Sequence, residues 1–132
     1  MSARYTLTVT TDFAAAHHLR DYPGECRRLH GHNWKVEAEV EATRLDELGM
    51  AVDFKEIKRG TREIAKGLDH RYLNELEPFQ GVNPTAEHIA AYFFRELSQR
   101  LNSESIRVGA VTLWETDSAR VRYSEEPGEP TA

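Results

Sequence analysis

One cysteine, Cys26, is the only thiol in the chain. Without a second there is no internal disulfide, and a reducing, cytoplasmic setting is the simplest expectation. Long apolar runs are missing too, since nothing approaches the roughly 20 residues a membrane-spanning helix needs. Positive charge is short: 17 Lys and Arg against 22 Asp and Glu leave a net charge of -5. That balance argues against a general nucleic-acid binder. The opening MSARYTLTVT has no basic-then-apolar secretion pattern. There is no internal repeat and no linker that would split the chain. Its 132 residues predict one domain, over residues 1–124, with a single compact core. Residues 125–132 are rich in Pro, Gly and Glu, which predicts a flexible tail.

What is present is clear alternation. Tyr5, Leu7 and Val9 alternate with Arg4, Thr6, Thr8 and Thr10, the period of a half-buried strand. Trp34, Val36, Ala38 and Val40 take one parity of a second strand, and Lys35, Glu37, Glu39 and Glu41 the other. The period then changes. Phe54, Ile57, Ile64, Ala65 and Leu68 fit one helical stripe, with Asp53 and Glu56 as a capping pair at its start. Asn83-Pro84-Thr85 opens a second helix, because Pro84 disfavours helix at the residue before it and Thr85 is a good N-cap. Its buried stripe is Ala86, Ile89, Ala90, Phe93, Leu97 and Leu101. Two more strands, Ile106 to Glu115 and Ala119 to Tyr123, flank a Thr116-Asp117-Ser118 turn. The order ββααββ predicts an α+β fold: a four-stranded antiparallel sheet with two helices on one face. Such a sheet leaves two edges and one face uncovered, which points to assembly through the edges.

The stretch ECRRLHGHNW concentrates the chemistry. His30 and His32 are two apart, so in a strand they share a side, and their parity continues that of Trp34 and Val36. His17 shares the parity of Tyr5, Leu7, Val9 and Phe13, although the Ala14-Ala15-Ala16 run could hide a bulge. If the two strands pair, three imidazoles converge. Neutral imidazole suits Zn2+, and three protein ligands leave a position for water or substrate. Each histidine also reads as an ordinary polar residue near a strand end.

Cys26 has three readings. As a fourth ligand it would close the site with one thiolate and three imidazoles, full and inert. Against this, it precedes His30 by four residues, too far for a shared strand position beside the pair. As a free thiol in a turn-rich loop flanked by Arg27 and Arg28, it could act as base or nucleophile, since arginines lower a thiol pKa. It could also be an unremarkable loop residue. Asp69-His70 reads as a helix C-terminus with a cation near the dipole, or as a general-base pair. Glu115 puts a carboxylate on an otherwise apolar side, as many strand ends do. His18 and His88 read as surface residues.

Together these motifs resemble the 6-pyruvoyl-tetrahydropterin synthase / 6-carboxy-tetrahydropterin synthase family. The resemblance rests on Phe13-Ala14-Ala15-Ala16-His17, Cys26-x-x-x-His30-Gly31-His32, Asp53-Phe54, Leu68-Asp69-His70, Asn83-Pro84-Thr85 and Glu115-Thr116, in the family's order. It implies Zn2+ held by His17, His30 and His32, with Cys26 as a catalytic base outside the metal sphere, working with Asp69 and His70. Glu115 would anchor the pterin ring. The implied fold is the tunnelling fold, whose sheets join into a barrel, with two trimers stacked as a homohexamer and sites between subunits. The implied activity is that of a lyase on 7,8-dihydroneopterin triphosphate, forming 6-carboxy-5,6,7,8-tetrahydropterin, acetaldehyde and triphosphate toward queuosine. The alternatives are the 6-pyruvoyl-tetrahydropterin synthase of tetrahydrobiopterin synthesis and a non-catalytic zinc-binding assembly protein. Arg20, Arg27, Arg28 and Lys35 are the candidate triphosphate contacts. His88 stands where the family often has Asn, and Glu25 where some relatives use a glutamate.

Overall fold

The computed structural model describes residues 3–126. Strands β1 (Tyr5–His17) and β2 (His30–Ala42) form an antiparallel pair in continuous register from Tyr5 opposite Ala42 to His17 opposite His30. The Ala14–Ala16 run therefore holds no bulge. Helix α1 (Phe54–Leu68), strand β3 (Arg71–Tyr72), helix α2 (Ala86–Leu101) and strands β4 (Ile106–Thr116) and β5 (Ala119–Tyr123) follow. Of the expected tail, 127–132 lies outside the described residues; within it, the Glu125 carboxylate accepts from the Tyr123 hydroxyl at 2.6 Å.

Both helices cover one face of the sheet, and period-two patterning supplies their counterpart. Val9, Phe13, Ala15, Trp34, Val36, Ala38 and Val40 are buried there against Ile57, Ile64, Leu68, Ile89, Phe93 and Leu97. Asp53 caps α1 by accepting from the Lys55 N–H at 2.8 Å, while the Glu56 side chain pairs with Arg59 instead of returning the bond. Phe54 departs from the expected stripe: at the first turn it stays 50% exposed. Thr85 caps α2 through the His88 N–H.

The sheet corrects the expected four antiparallel strands. It has five, in the order β3-β1-β2-β4-β5, and β3 runs parallel to β1. Two residues are too few to show an alternation. The strand arises because the chain leaving α1 docks on β1: the Asp69 carboxylate accepts from the Ala14 N–H (2.8 Å), and the His70 N–H donates to the Ala14 carbonyl (2.6 Å). β3 covers only Ala15 and Ala16, so among the described residues nothing pairs with the outer edge of β1 from Tyr5 to Phe13.

The uncovered face is charged and internally matched. Arg122 forks onto Glu39 at 3.0 and 3.1 Å, Arg107 meets Glu41 at 2.9 Å, and Trp114 donates to Glu37 at 3.1 Å. A register shift opposite Glu39 and Val40 leaves Gly109 unpaired. A Cβ there would lie 2.8 Å from Glu41 Cδ, so a larger residue would push the Glu41 side chain aside.

Candidate metal centre

Strand register builds the site. His17 ends β1 directly opposite His30, and His32 lies opposite Ala15, so all three rings stand on the helix-covered face at one end of the sheet. Their centroids are 4.4, 5.3 and 4.9 Å apart, and Trp34 packs edge-on to His17 and His32 at 5.0 and 5.1 Å. Glu115, near the end of β4, brings its Oε1 to 3.5 Å from His17 Nε2 and 3.4 Å from His32 Nε2. Ligand atoms of His17, His30, His32 and Glu115 all lie within 4.8 Å of one another. Cys26 is not part of that group.

The outer hydrogen bonds set the tautomers. His17 Nδ1 is 2.7 Å from the Pro84 carbonyl and His30 Nδ1 is 2.8 Å from the Arg28 carbonyl. A carbonyl only accepts, so each Nδ1 carries the proton and each neutral ring turns the Nε2 lone pair inward. His17 is 1% exposed, and the Nε2 atoms of His17 and His32 are buried without a hydrogen-bond partner. Burial is also the main reason both rings titrate below the ordinary imidazole value of 6.5, with neighbouring His30 adding to the effect. Lone pairs thus converge beside a carboxylate in a place that resists protonation. A cation relieves that arrangement, and the three-nitrogen, one-oxygen donor set fits a divalent metal such as zinc.

Two cavities meet at His32. One, of 420 Å3, is lined by Glu25, Cys26, Arg28, Leu29, His30, His32 and Glu115. Cys26 is half-buried in a short 3-10 turn (Glu25–Arg27), and its carbonyl accepts from the Leu19 N–H at 2.8 Å. The other cavity, of 480 Å3, is lined by Ala14, Ala15, Ala16, Gly31, His32, Asn33, His70, Arg71 and Tyr72. His70 is 81% exposed along its side chain and held by Asp69, with Nδ1 2.9 Å from Oδ2. The Ala14 N–H and then His70 hold the Asp69 carboxyl below its ordinary value. His70 has φ of 60°, an unusual left-handed conformation for its size. Within one chain, then, Cys26 and His70 line different cavities.

Several supporting groups were invisible in the sequence. Asn74 clamps residue 18 by accepting from its N–H and donating to its carbonyl, both at 3.0 Å. Asn83 does the same for residue 20, at 2.8 and 3.1 Å. His18, expected at the surface, is half-buried, with Nδ1 2.6 Å from the Tyr72 hydroxyl. His88 is exposed as expected, with Nδ1 2.7 Å from the Asn83 carbonyl. The Asn83-Pro84-Thr85 motif was legible as a helix start; that its carbonyls also orient histidines was not.

The family profile described as 6-pyruvoyl tetrahydropterin synthase matches residues 6–126. A Synechocystis protein named 6-carboxy-5,6,7,8-tetrahydropterin synthase is 40% identical over 116 residues, covering 84% of this chain and 86% of that one. A protein of Archaeoglobus fulgidus, provisionally given the same name, is 37% identical over 109 residues, covering 82% and 90%. Among solved structures, the 6-pyruvoyl tetrahydropterin synthase of Caenorhabditis elegans superposes with a TM-score of 0.84 at 25% identity, covering 95% of this chain and 98% of that one.

Proposed function

The chain belongs to the 6-pyruvoyl tetrahydropterin synthase family, and from that membership we propose that it is a zinc-dependent 6-carboxy-5,6,7,8-tetrahydropterin synthase. With one water, it converts 7,8-dihydroneopterin triphosphate to 6-carboxytetrahydropterin, acetaldehyde and triphosphate on the route to queuosine and other deazapurines. The observation that carries the reading is the cluster of His17, His30 and His32, two of which, His30 and His32, line the cavity that also holds Cys26. The names of the Synechocystis and Archaeoglobus relatives favour the 6-carboxy branch.

Each residue has a part. His17, His30 and His32 hold the zinc, which when bound supplies Lewis-acid polarisation of the substrate side-chain oxygens. Cys26, as thiolate, removes the proton from a side-chain carbon that bears a hydroxyl, a hydrogen already acidified by the dihydropterin C=N. Triphosphate leaves by elimination. His70, oriented by Asp69, handles protons elsewhere in the reaction. Glu115 accepts from the N–H groups of the pterin edge, fixing orientation as well as affinity. Its nearness to two imidazoles would also let it contribute an oxygen to a bound metal ion.

The assembly is the one the family resemblance implies, and the separate cavities support it. The Asp69-His70 pair of one chain serves the Cys26 of its neighbour, across an interface formed by the free edges of β1 and β5. Three sheets joined in this way close the barrel of a tunnelling fold, and two barrels stack as a homohexamer. One domain, cytoplasmic and without nucleic-acid or membrane partners, completes the reading. Among the described residues no helix is long and apolar enough to cross a membrane.

Mass spectrometry of products from the zinc-loaded protein and 7,8-dihydroneopterin triphosphate tests this. The expected product is 6-carboxytetrahydropterin with acetaldehyde. A 6-pyruvoyl product would move the protein to the tetrahydrobiopterin route with the same site residues. Unchanged substrate, with zinc bound, would leave a non-catalytic zinc-binding module.

A further inference from the structure

We propose that the Arg28 guanidinium is the cation that reads the triphosphate of the substrate, an inference that rests on the activity proposed above. A net charge of -5 makes a local cation necessary for a polyphosphate ligand. Structure separates the candidates that sequence could not. Arg20 is committed to the scaffold, donating to the Val82 carbonyl at 2.9 Å and the Asn74 carbonyl at 3.2 Å. Lys35 stands on the opposite face of the sheet, 5.6 Å from the centre of the Trp114 ring and 3.9 Å from Glu37. Arg27 lines neither cavity at the histidines. Arg28 lines the one that holds Cys26.

Chemistry makes that shared wall decisive. Elimination places the leaving triphosphate within a few bonds of the carbon that loses its proton. A cation in the cavity of the base is therefore the first candidate for holding the leaving group. Arg71, which the sequence did not single out, lines the other cavity beside His70; a neighbour's Arg71 is the rival, because its His70 is proposed to serve Cys26 across the interface. Arg28 is also available. Among the described residues its ion-pair partner is Glu25 at 3.9 Å, and their side chains are 75% and 88% exposed, so water already screens that pair. A guanidinium forks onto phosphate oxygens, and it is well placed to offset charge that builds on a departing phosphate.

Arg28 makes a clean test because its backbone, not its side chain, supports the metal centre. The carbonyl that receives the His30 Nδ1–H survives in Arg28→Ala. Titration calorimetry with inorganic triphosphate compares the zinc-loaded wild type with Arg28→Ala, Arg28→Lys, Arg71→Ala and Lys35→Ala, with zinc content measured in each. Any contact with the metal is common to all of them. The expected result is unchanged zinc and a triphosphate affinity that falls roughly tenfold to a hundredfold in Arg28→Ala. Arg28→Lys should recover part of that loss, and Lys35→Ala should bind triphosphate as the wild type does. KM for the triphosphate substrate should rise in parallel with the loss of affinity.

Wild-type binding that is absent, that is equal in Arg28→Ala, or that is lost only in Arg71→Ala overturns the proposal. The two readings fail separately. Triphosphate binding through Arg28 without turnover would sink the activity and keep the subsite; turnover with Arg28-independent binding would do the reverse.

Discussion

At the level of single residues, the metal centre is a set of protons placed elsewhere. The Pro84 and Arg28 carbonyls accept hydrogen bonds from the Nδ1–H groups of His17 and His30, so Nε2 is the lone pair that each neutral ring presents to the cluster. The sign of the pH effect follows. Burial lowers the pKa of His17 and His32 below 6.5, so the folded state refuses protons that the unfolded chain accepts. Stability from these groups is complete above about 6.5 and declines as pH falls through that value toward the lower folded values. Thermal unfolding of metal-free protein from about pH 7.5 to 5 should show a falling midpoint, and zinc affinity should weaken over the same window. Cys26 makes the opposite kind of prediction. Cys26→Ala should keep its zinc by elemental analysis, and its turnover should drop on the order of a hundredfold or more. Retained zinc with undiminished turnover would remove the thiol from the mechanism.

Among the elements, local signals were strong wherever a strand or helix carried them. Alternation in Trp34–Val40 and the caps Asp53 and Thr85 predicted the faces and starts that the structure has. Signals failed where a segment is held by side chains rather than by its own periodicity. Residues 18 to 20, which follow His17, are stitched to distant turns by Asn74 and Asn83 in the way a neighbouring strand would stitch them. Asn74 is buried, so Asn74→Ala should cost about 1–3 kcal/mol by leaving both backbone groups of residue 18 short of a partner. Denaturant unfolding measures that loss, and reduced zinc retention should accompany it because residue 18 directly follows a ligand. β3 belongs with this group. Asp69 creates it by binding the β1 backbone, and the same carboxylate orients His70, so one side chain joins the sheet to the proposed acid–base pair.

Taken as one body, the chain has a finished core and an unfinished perimeter. The helix-covered face is filled with buried apolar side chains, whereas the β1 edge from Tyr5 to Phe13 has no partner among the described residues. Cys26 and His70 face separate cavities, and the proposed hexamer would unite them across subunits. Complementation tests this. Cys26→Ala and His70→Ala proteins, each inactive alone, should regain activity when unfolded and refolded together, because mixed interfaces hold one intact site. Mixtures that stay inactive while native mass spectrometry finds mixed oligomers would mean that each chain builds its own site.

Strand parity put the three histidines on one sheet face, and the motif resemblance, not parity, pointed to the family. Those depend on the side-chain period of a strand and on motifs at short spacing, which are local properties. Folding in three dimensions was needed to bring Glu115 to His17 and His32, to set the Pro84 carbonyl against His17, and to put Arg28 rather than Arg27 in the lining of the Cys26 cavity. The first two join segments far apart in the chain, and the third separates near neighbours. Such distances come from strand register and loop docking, for which no short stretch of sequence carries a period.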